Sequence, residues 1–247
     1  MNSLKKNKIG IIGFGFVGQA LYNSIKDKDS VIIYDKYKNY SEFNEIFDTD
    51  VVFVQVPTPA KETAKIINET LQNLKGYKGI VVIKSTILPD LLEIPKLNVI
   101  SNPEFLNQIS ANDDFANQKN ILLGGDAKLC YEVQKIYETS FNFKYDIEFE
   151  MVSFEEALTF KYIRNIKIVY DVMFANFIQD CTGNYRKYNL LFKKFKTKDF
   201  TNYIISADGN PGFGGACLPK DTFAWNEKYK SELTQFLLDY NDLLKKN

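Results

Sequence analysis

Continuous apolar runs recur through the first half of the chain, at 8–12 (KIGII), 31–34 (VIIY), 51–56 (VVFVQV), 80–83 (IVVI), 98–100 (NVI) and 120–123 (NILL). Runs without alternation mark strands buried on both faces, and the polar, helix-compatible stretches between them predict strand–helix–strand crossovers. The pattern through residue 125 predicts a Rossmann-type doubly wound parallel sheet, a fold that takes ligands at the carboxyl ends of its strands. Beyond about residue 150 the period changes. Residues 153–180 carry apolar positions at helical spacing with neither Pro nor Gly, which predicts one long helix. Residues 222–245 are amphipathic, with Leu233, Phe236, Leu237, Tyr240, Leu243 and Leu244 on a stripe expected to face a core or another subunit. The chain is therefore expected to be α/β, with a sheet domain over 1–150 and a mainly helical domain over 151–247.

The turns that follow these strands add chemistry. Gly13-Phe14-Gly15-Phe16-Val17-Gly18 stands directly after the first apolar run and before a helical stretch, and Asp35 ends the second run. Gly13 permits the tight turn, Gly15 lets backbone approach a pyrophosphate, and Gly18 allows the helix to pack close to the strand. The helix amino end supplies amide donors to phosphate, and Asp35 can accept bonds from ribose hydroxyls. A carboxylate there repels a 2′-phosphate, so NAD is expected over NADP, with FAD the lesser alternative.

Composition narrows the rest. Lys plus Arg and Asp plus Glu are 31 each, so no net field favours nucleic acid or an anionic membrane. The chain has no histidine, which excludes a His base, and its three cysteines lack the spacing of a zinc site, so no metal is expected. The amino-terminal stretch has no apolar core of signal-peptide length, and no run approaches the about 18 apolar residues of a membrane span. A cytoplasmic protein is expected. Cys130 and Cys181 are read as buried and inert. Cys217 differs: it lies in Asn-Pro-Gly-Phe-Gly-Gly-Ala-Cys-Leu-Pro-Lys-Asp-Thr (210–222), where glycines allow close ligand approach and Lys220 and a following helix favour a thiolate.

In order along nearly the whole chain, GFGFVG (13–18), VPTP (56–59), KST (84–86), NPEFL (102–106), KYIRN (161–165) and GFGGACLPKD (212–221) resemble the nucleotide-sugar dehydrogenases of the UDP-glucose/GDP-mannose family, the UDP-glucose branch above all. The resemblance implies a four-electron oxidation with two NAD in succession, taking a sugar C6 alcohol to a carboxylate through a thiohemiacetal and a thioester on Cys217. It implies that Lys161 and Asn165 stabilise the developing alkoxide, with Asn176 further along the same helix face, and that Asp221 handles the proton of a catalytic water. It places Pro57, Thr58 and Thr86 at the nicotinamide half, Thr86 also among the catalytic groups. Glu104, Phe105, Leu106, Phe213 and Gly214 would contact substrate beside Lys161 and Asn165. A homodimer through the 153–180 helix follows from the same resemblance.

The match departs from the family at three points. Asn107-Gln108 puts an amide where a carboxylate base for thioester hydrolysis is usual, and Thr201 stands where an Arg reaches substrate. The UDP-gripping sheet domain that follows in the family has no counterpart here, so a short form is expected. The alternatives are a non-catalytic or split homologue acting with a partner, and a two-electron hydroxyacid dehydrogenase.

Overall fold

A computed structural model describes residues 6–59, 64–195 and 209–246; Thr201 lies outside them. By packing, the chain divides into Met1–Lys161 and Tyr162–Asn247, a division that falls inside the long helix.

The first unit is built on one seven-stranded sheet: β1 (Ile9–Ile12), β2 (Val31–Tyr34), β3 (Val51–Val54), β4 (Ile80–Ile83), β5 (Asn98–Ser101), β6 (Asn120–Gly125) and β7 (Glu148–Val152). Helices α1 (Phe16–Ser24), α2 (Lys65–Asn73), α3 (Ala111–Asn117) and α4 (Ala127–Ser140) connect them. The order is β2-β1-β3-β4-β5-β6-β7. Strands β1 and β3 run parallel as neighbours, and the order in which successive strands join the sheet reverses between them, a switch point that opens a crevice at their carboxyl ends. Alternate residues of the central strands enter two separate cores. Ile9, Ile11, Val51, Phe53, Ile80 and Val82 pack with Cys130, Tyr137 and Phe141, whereas Val52, Val54, Val81 and Ile83 pack with Ile67, Leu71 and Leu74. Burial on both faces explains the unbroken apolar runs.

Two features escaped the pattern. Pairing of β5 with β6 is antiparallel, and β7 runs parallel to β6, so the sheet is parallel only through β5 and within its last pair. An interior strand is apolar whichever way it runs, so the run at 120–123 carries no sign of direction. The seventh strand reads Glu-Phe-Glu-Met-Val and lies at the sheet edge, where outward glutamates hide it from an apolar search.

The long helix α5 (Phe154–Thr182) runs from the first unit into the second. There α6 (Tyr185–Lys194), α7 (Leu218–Tyr229) and α8 (Glu232–Leu244) follow, with a core of Val169, Val172, Met173, Phe213, Leu237 and Leu244. The stripe expected over 222–245 is split. Lys230 adopts φ +48 and Ser231 caps α8 by accepting the Thr234 amide, so two helices replace one pattern. Leu237 and Leu244 are buried, while Leu233, Phe236 and Leu243 are exposed. Cys130 is buried as expected; Cys181, in the last turn of α5, is exposed instead.

Candidate active site

In the first unit, the loops at the carboxyl ends of β1, β3, β4 and β5 carry residues that the sequence singled out. Gly13 follows β1 at φ +90, and a Cβ there would stand 2.6 Å from the Gln55 carbonyl oxygen. Its amide donates to Tyr34 O at 2.9 Å, and its carbonyl accepts from Gln55 Nε2 at 2.9 Å. A Cβ on Gly18 would lie 2.3 Å from Gly13 O, so α1 can pack this close only with glycine. Around Gly15 the situation is opposite: no heavy atom stands within 4 Å of where its Cβ would be. Gly15 is the N-cap of α1 and offers no side-chain cap, so the amides of Phe16, Val17 and Gly18 form a bare positive end.

Asp35 ties this loop to β2. Its Oδ2 accepts the Phe14 amide at 2.7 Å and its Oδ1 accepts the Tyr37 amide at 3.0 Å. Each carboxylate oxygen can accept a second bond, which suits a ribose diol. Lys38, which the sequence did not single out, donates from Nζ to Phe14 O at 2.6 Å. The open approach at Gly15, the uncapped helix end and Asp35 together fit a dinucleotide.

The loops after β3 and β4 are laced together. Thr58 Oγ1 donates to Thr86 O at 2.8 Å, and Ser85 Oγ donates to Val56 O at 2.8 Å. Pro57 is exposed between them. Beside them, Lys84 is only 4 % exposed. Burial drives its ammonium pKa down to about 8, against the pull of Glu104 and with the push of Lys161. Its Nζ donates to Asn102 Oδ1 at 2.9 Å, which also accepts from the Tyr137 hydroxyl at 2.6 Å.

The segment after β5 carries the residues expected to meet substrate. Lys161, on α5, donates to Glu104 O at 2.7 Å and lies 3.5 Å from Glu104 Oε1, with Phe105 beneath its Nζ at 5.5 Å. Glu104 Oε2 accepts the Leu106 amide at 2.7 Å. Asn107 donates its amide to Asp114, and Gln108 is exposed.

In the second unit the expected residues form one tight pair and one loop. Asn165 Nδ2 donates to Asp221 Oδ2 at 2.6 Å, and Asp221 Oδ1 lies 2.7 Å from Lys220 Nζ. Both Asn165 and Asp221 are buried. Cys217 is the exposed N-cap residue of α7, and its carbonyl accepts the Asp221 amide at 2.9 Å. Negative charge is favoured at such a helix end. Phe213 and Gly214 are buried, and the Phe213 amide donates to Asn241 Oδ1 at 2.7 Å. Asn176 is buried on α5, with Nδ2 bonded to Val172 O of its own helix.

The sequence left Lys84, Asn102, Tyr137 and Lys38 without roles. The available signal was a lysine placed directly after an all-apolar strand, where it must be buried with its charge.

Comparison with known proteins agrees with this geometry. Residues 33–141 match the UDP-glucose/GDP-mannose dehydrogenase family, NAD binding domain. A UDP-glucose 6-dehydrogenase of Haloferax volcanii is 27% identical over 243 residues, covering 84% of this chain and 56% of its own. One from Rickettsia felis is 28% identical over 206 residues, covering 74% and 44%. The chain thus spans about half the length of the curated relatives it matches. A UDP-glucose dehydrogenase structure from Pyrobaculum islandicum shares the fold, with TM-score 0.72 at 21% identity over 97% of this chain and 69% of that one. The glycine loop, the uncapped helix end and Asp35 suit a dinucleotide, and over residues 33–141 the chain is similar to the NAD binding domain of the UDP-glucose/GDP-mannose dehydrogenase family.

Proposed function

We propose that this chain oxidises the C6 alcohol of a nucleotide sugar, UDP-glucose first among them, to the carboxylate, with Cys217 as nucleophile. The observation that carries this reading is the second unit's buried Asn165–Asp221 pair, one helical turn from an exposed thiol at the head of α7. A hydroxyacid dehydrogenase needs no thiol.

NAD, bound at the glycine loop and Asp35, supplies the hydride acceptor for both oxidation steps. In the first, the C6 hydroxyl gives up its proton and C6 gives up a hydride, leaving the aldehyde. The Cys217 thiolate then adds to the carbonyl carbon, and the oxygen bears the charge as a thiohemiacetal that Lys161 and Asn165 stabilise by donating hydrogen bonds. Loss of a second hydride from C6 gives the thioester. Water, its proton taken up through Asp221, attacks the thioester and releases the acid and the thiol. Thr58 and Thr86 line the nicotinamide side, and Glu104, Phe105 and Leu106 together with the backbone at Phe213 and Gly214 hold the sugar. Mass spectrometry of protein quenched during turnover is expected to show a sugar-nucleotide adduct on Cys217; Cys217→Ser is expected to keep NAD binding and lose both adduct and NADH formation. Undiminished turnover in that variant would exclude the thiol route.

A second copy of the chain is the partner this reading requires. Ile163, Tyr170 and Phe177 recur at intervals of seven on α5 and are each about half exposed, at 49%, 48% and 49%, a stripe on one helix face that suits helix pairing. Sedimentation is expected to give twice the chain mass, and Tyr170→Glu to halve it; a wild-type monomer would overturn the pairing. Among the described residues no helix is long and apolar enough to cross a membrane, and a cytoplasmic location goes with this reading. Recovery of the native protein in a membrane fraction would contradict it.

A further inference from the structure

Neither the proposed cofactor binding nor the proposed oxidation steps use Lys84. A methionine would fill its space with no charge to desolvate, yet the position holds an ammonium at 4 % exposure. That ammonium is held by Asn102, which makes five bonds in all. Asn102 accepts from Lys84 Nζ at Oδ1 (2.9 Å) and at its carbonyl (3.4 Å). It accepts from Tyr137 at 2.6 Å, donates from Nδ2 to Leu122 O at 2.9 Å, and donates from its amide to Ile83 O at 2.8 Å. Two residues further on, Glu104 receives Lys161 on its carbonyl and the Leu106 amide on its carboxylate. The segment 102–106 is therefore fastened at one end by Lys84 and at the other by Lys161.

We infer that Lys84 is a positioning residue for Lys161: through Asn102 it fixes the 102–106 segment, whose Glu104 carbonyl receives the Lys161 ammonium, so that the Lys161 head group keeps one place. The groups that face Lys84 are Glu104 and Lys161 as charges, the Tyr137 hydroxyl and the Phe115 ring. Of these, Tyr137 is held neutral by burial, its pKa raised far above the ordinary range. Because the Lys84 ammonium loses its proton near pH 8, the fastening weakens over an accessible range, from charged below that pH to neutral above it.

The kinetic part of the test rests on the proposed oxidation; the structural part does not. Hydrogen exchange is followed for the peptide 102–108 in wild type and Lys84→Met at pH 7 and pH 9, corrected for intrinsic exchange rates. At pH 7 the Leu106 amide is expected to exchange about tenfold faster in Lys84→Met, the scale of one lost charge-assisted bond, while β3 is unchanged. Wild type is expected to lose the same protection on going to pH 9, and Lys84→Met to show no such change. Equal protection in both proteins, or protection in wild type that ignores pH, would overturn the inference, and the wild-type arm decides alone if the variant does not fold. In turnover, Lys84→Met is expected to lower kcat about tenfold at constant KM for NAD and to lose an alkaline limb near pH 8. If wild type oxidises no nucleotide sugar, the oxidation reading fails while the exchange result still stands. Turnover with unaltered exchange sinks the positioning role alone.

Discussion

A Gly15→Val chain is expected to melt within about 3 °C of wild type, the scale of a weakened helix cap, and yet to bind NAD at least about a hundredfold more weakly. The reason is geometric. Space within 4 Å of a Gly15 Cβ is open, so the added side chain meets no protein atom, but it stands where backbone must approach the pyrophosphate. Gly18→Val should behave differently. Its Cβ would meet the Gly13 carbonyl at 2.3 Å, and Gly13 is itself pinned at φ +90 against Gln55. Neither side of that contact can move without opening β1 from α1, so a loss on the order of 3 kcal/mol is expected, together with loss of NAD binding. Calorimetric melts and NAD titration of the two variants separate a ligand-facing glycine from a packing one. Equal melting temperatures would contradict the packing role of Gly18.

Asp221→Ala is expected to lower both stability and activity. The carboxylate is fully buried, it accepts from Asn165, and it balances Lys220. Its removal takes away the acceptor of the buried Asn165 amide and the carboxylate beside the Lys220 ammonium, at a cost of about 2–4 kcal/mol. On the proposed route, in which the proton of the attacking water is taken up through Asp221, turnover should fall by about a hundredfold or more. Chemical denaturation gives the first number and NADH formation the second. The coupling is specific to the pair: Asn165→Ala added to Asp221→Ala should cost much less than the sum of the single changes.

What the sequence made legible was local. Gly13 and Gly18 obey steric demands set by their immediate neighbours, and those close contacts are present in the structure; Asp35 is tied to the same loop through the Phe14 amide. Strands β1, β3 and β4 were visible because burial on both faces strips them of polar residues. The edge strand β7 was invisible for the converse reason. The break between α7 and α8 carries neither Gly nor Pro; it depends on Lys230 adopting a left-handed conformation, which lysine gives no reason to expect. The Lys84–Asn102–Tyr137 cluster was also hidden, because Lys84 and Asn102 directly follow β4 and β5, Tyr137 lies on α4, and the three meet only when the sheet assembles. Cys217 stood out for its glycine-rich surroundings and not for its type, as the exposed Cys181 shows.

The most direct test is the number of NADH formed per UDP-glucose consumed by the purified chain. Two NADH per sugar, with UDP-glucuronate as product, is the predicted result. One per sugar with an aldehyde or ketone released, or none with any UDP- or GDP-sugar, would contradict the thioester oxidation proposed here.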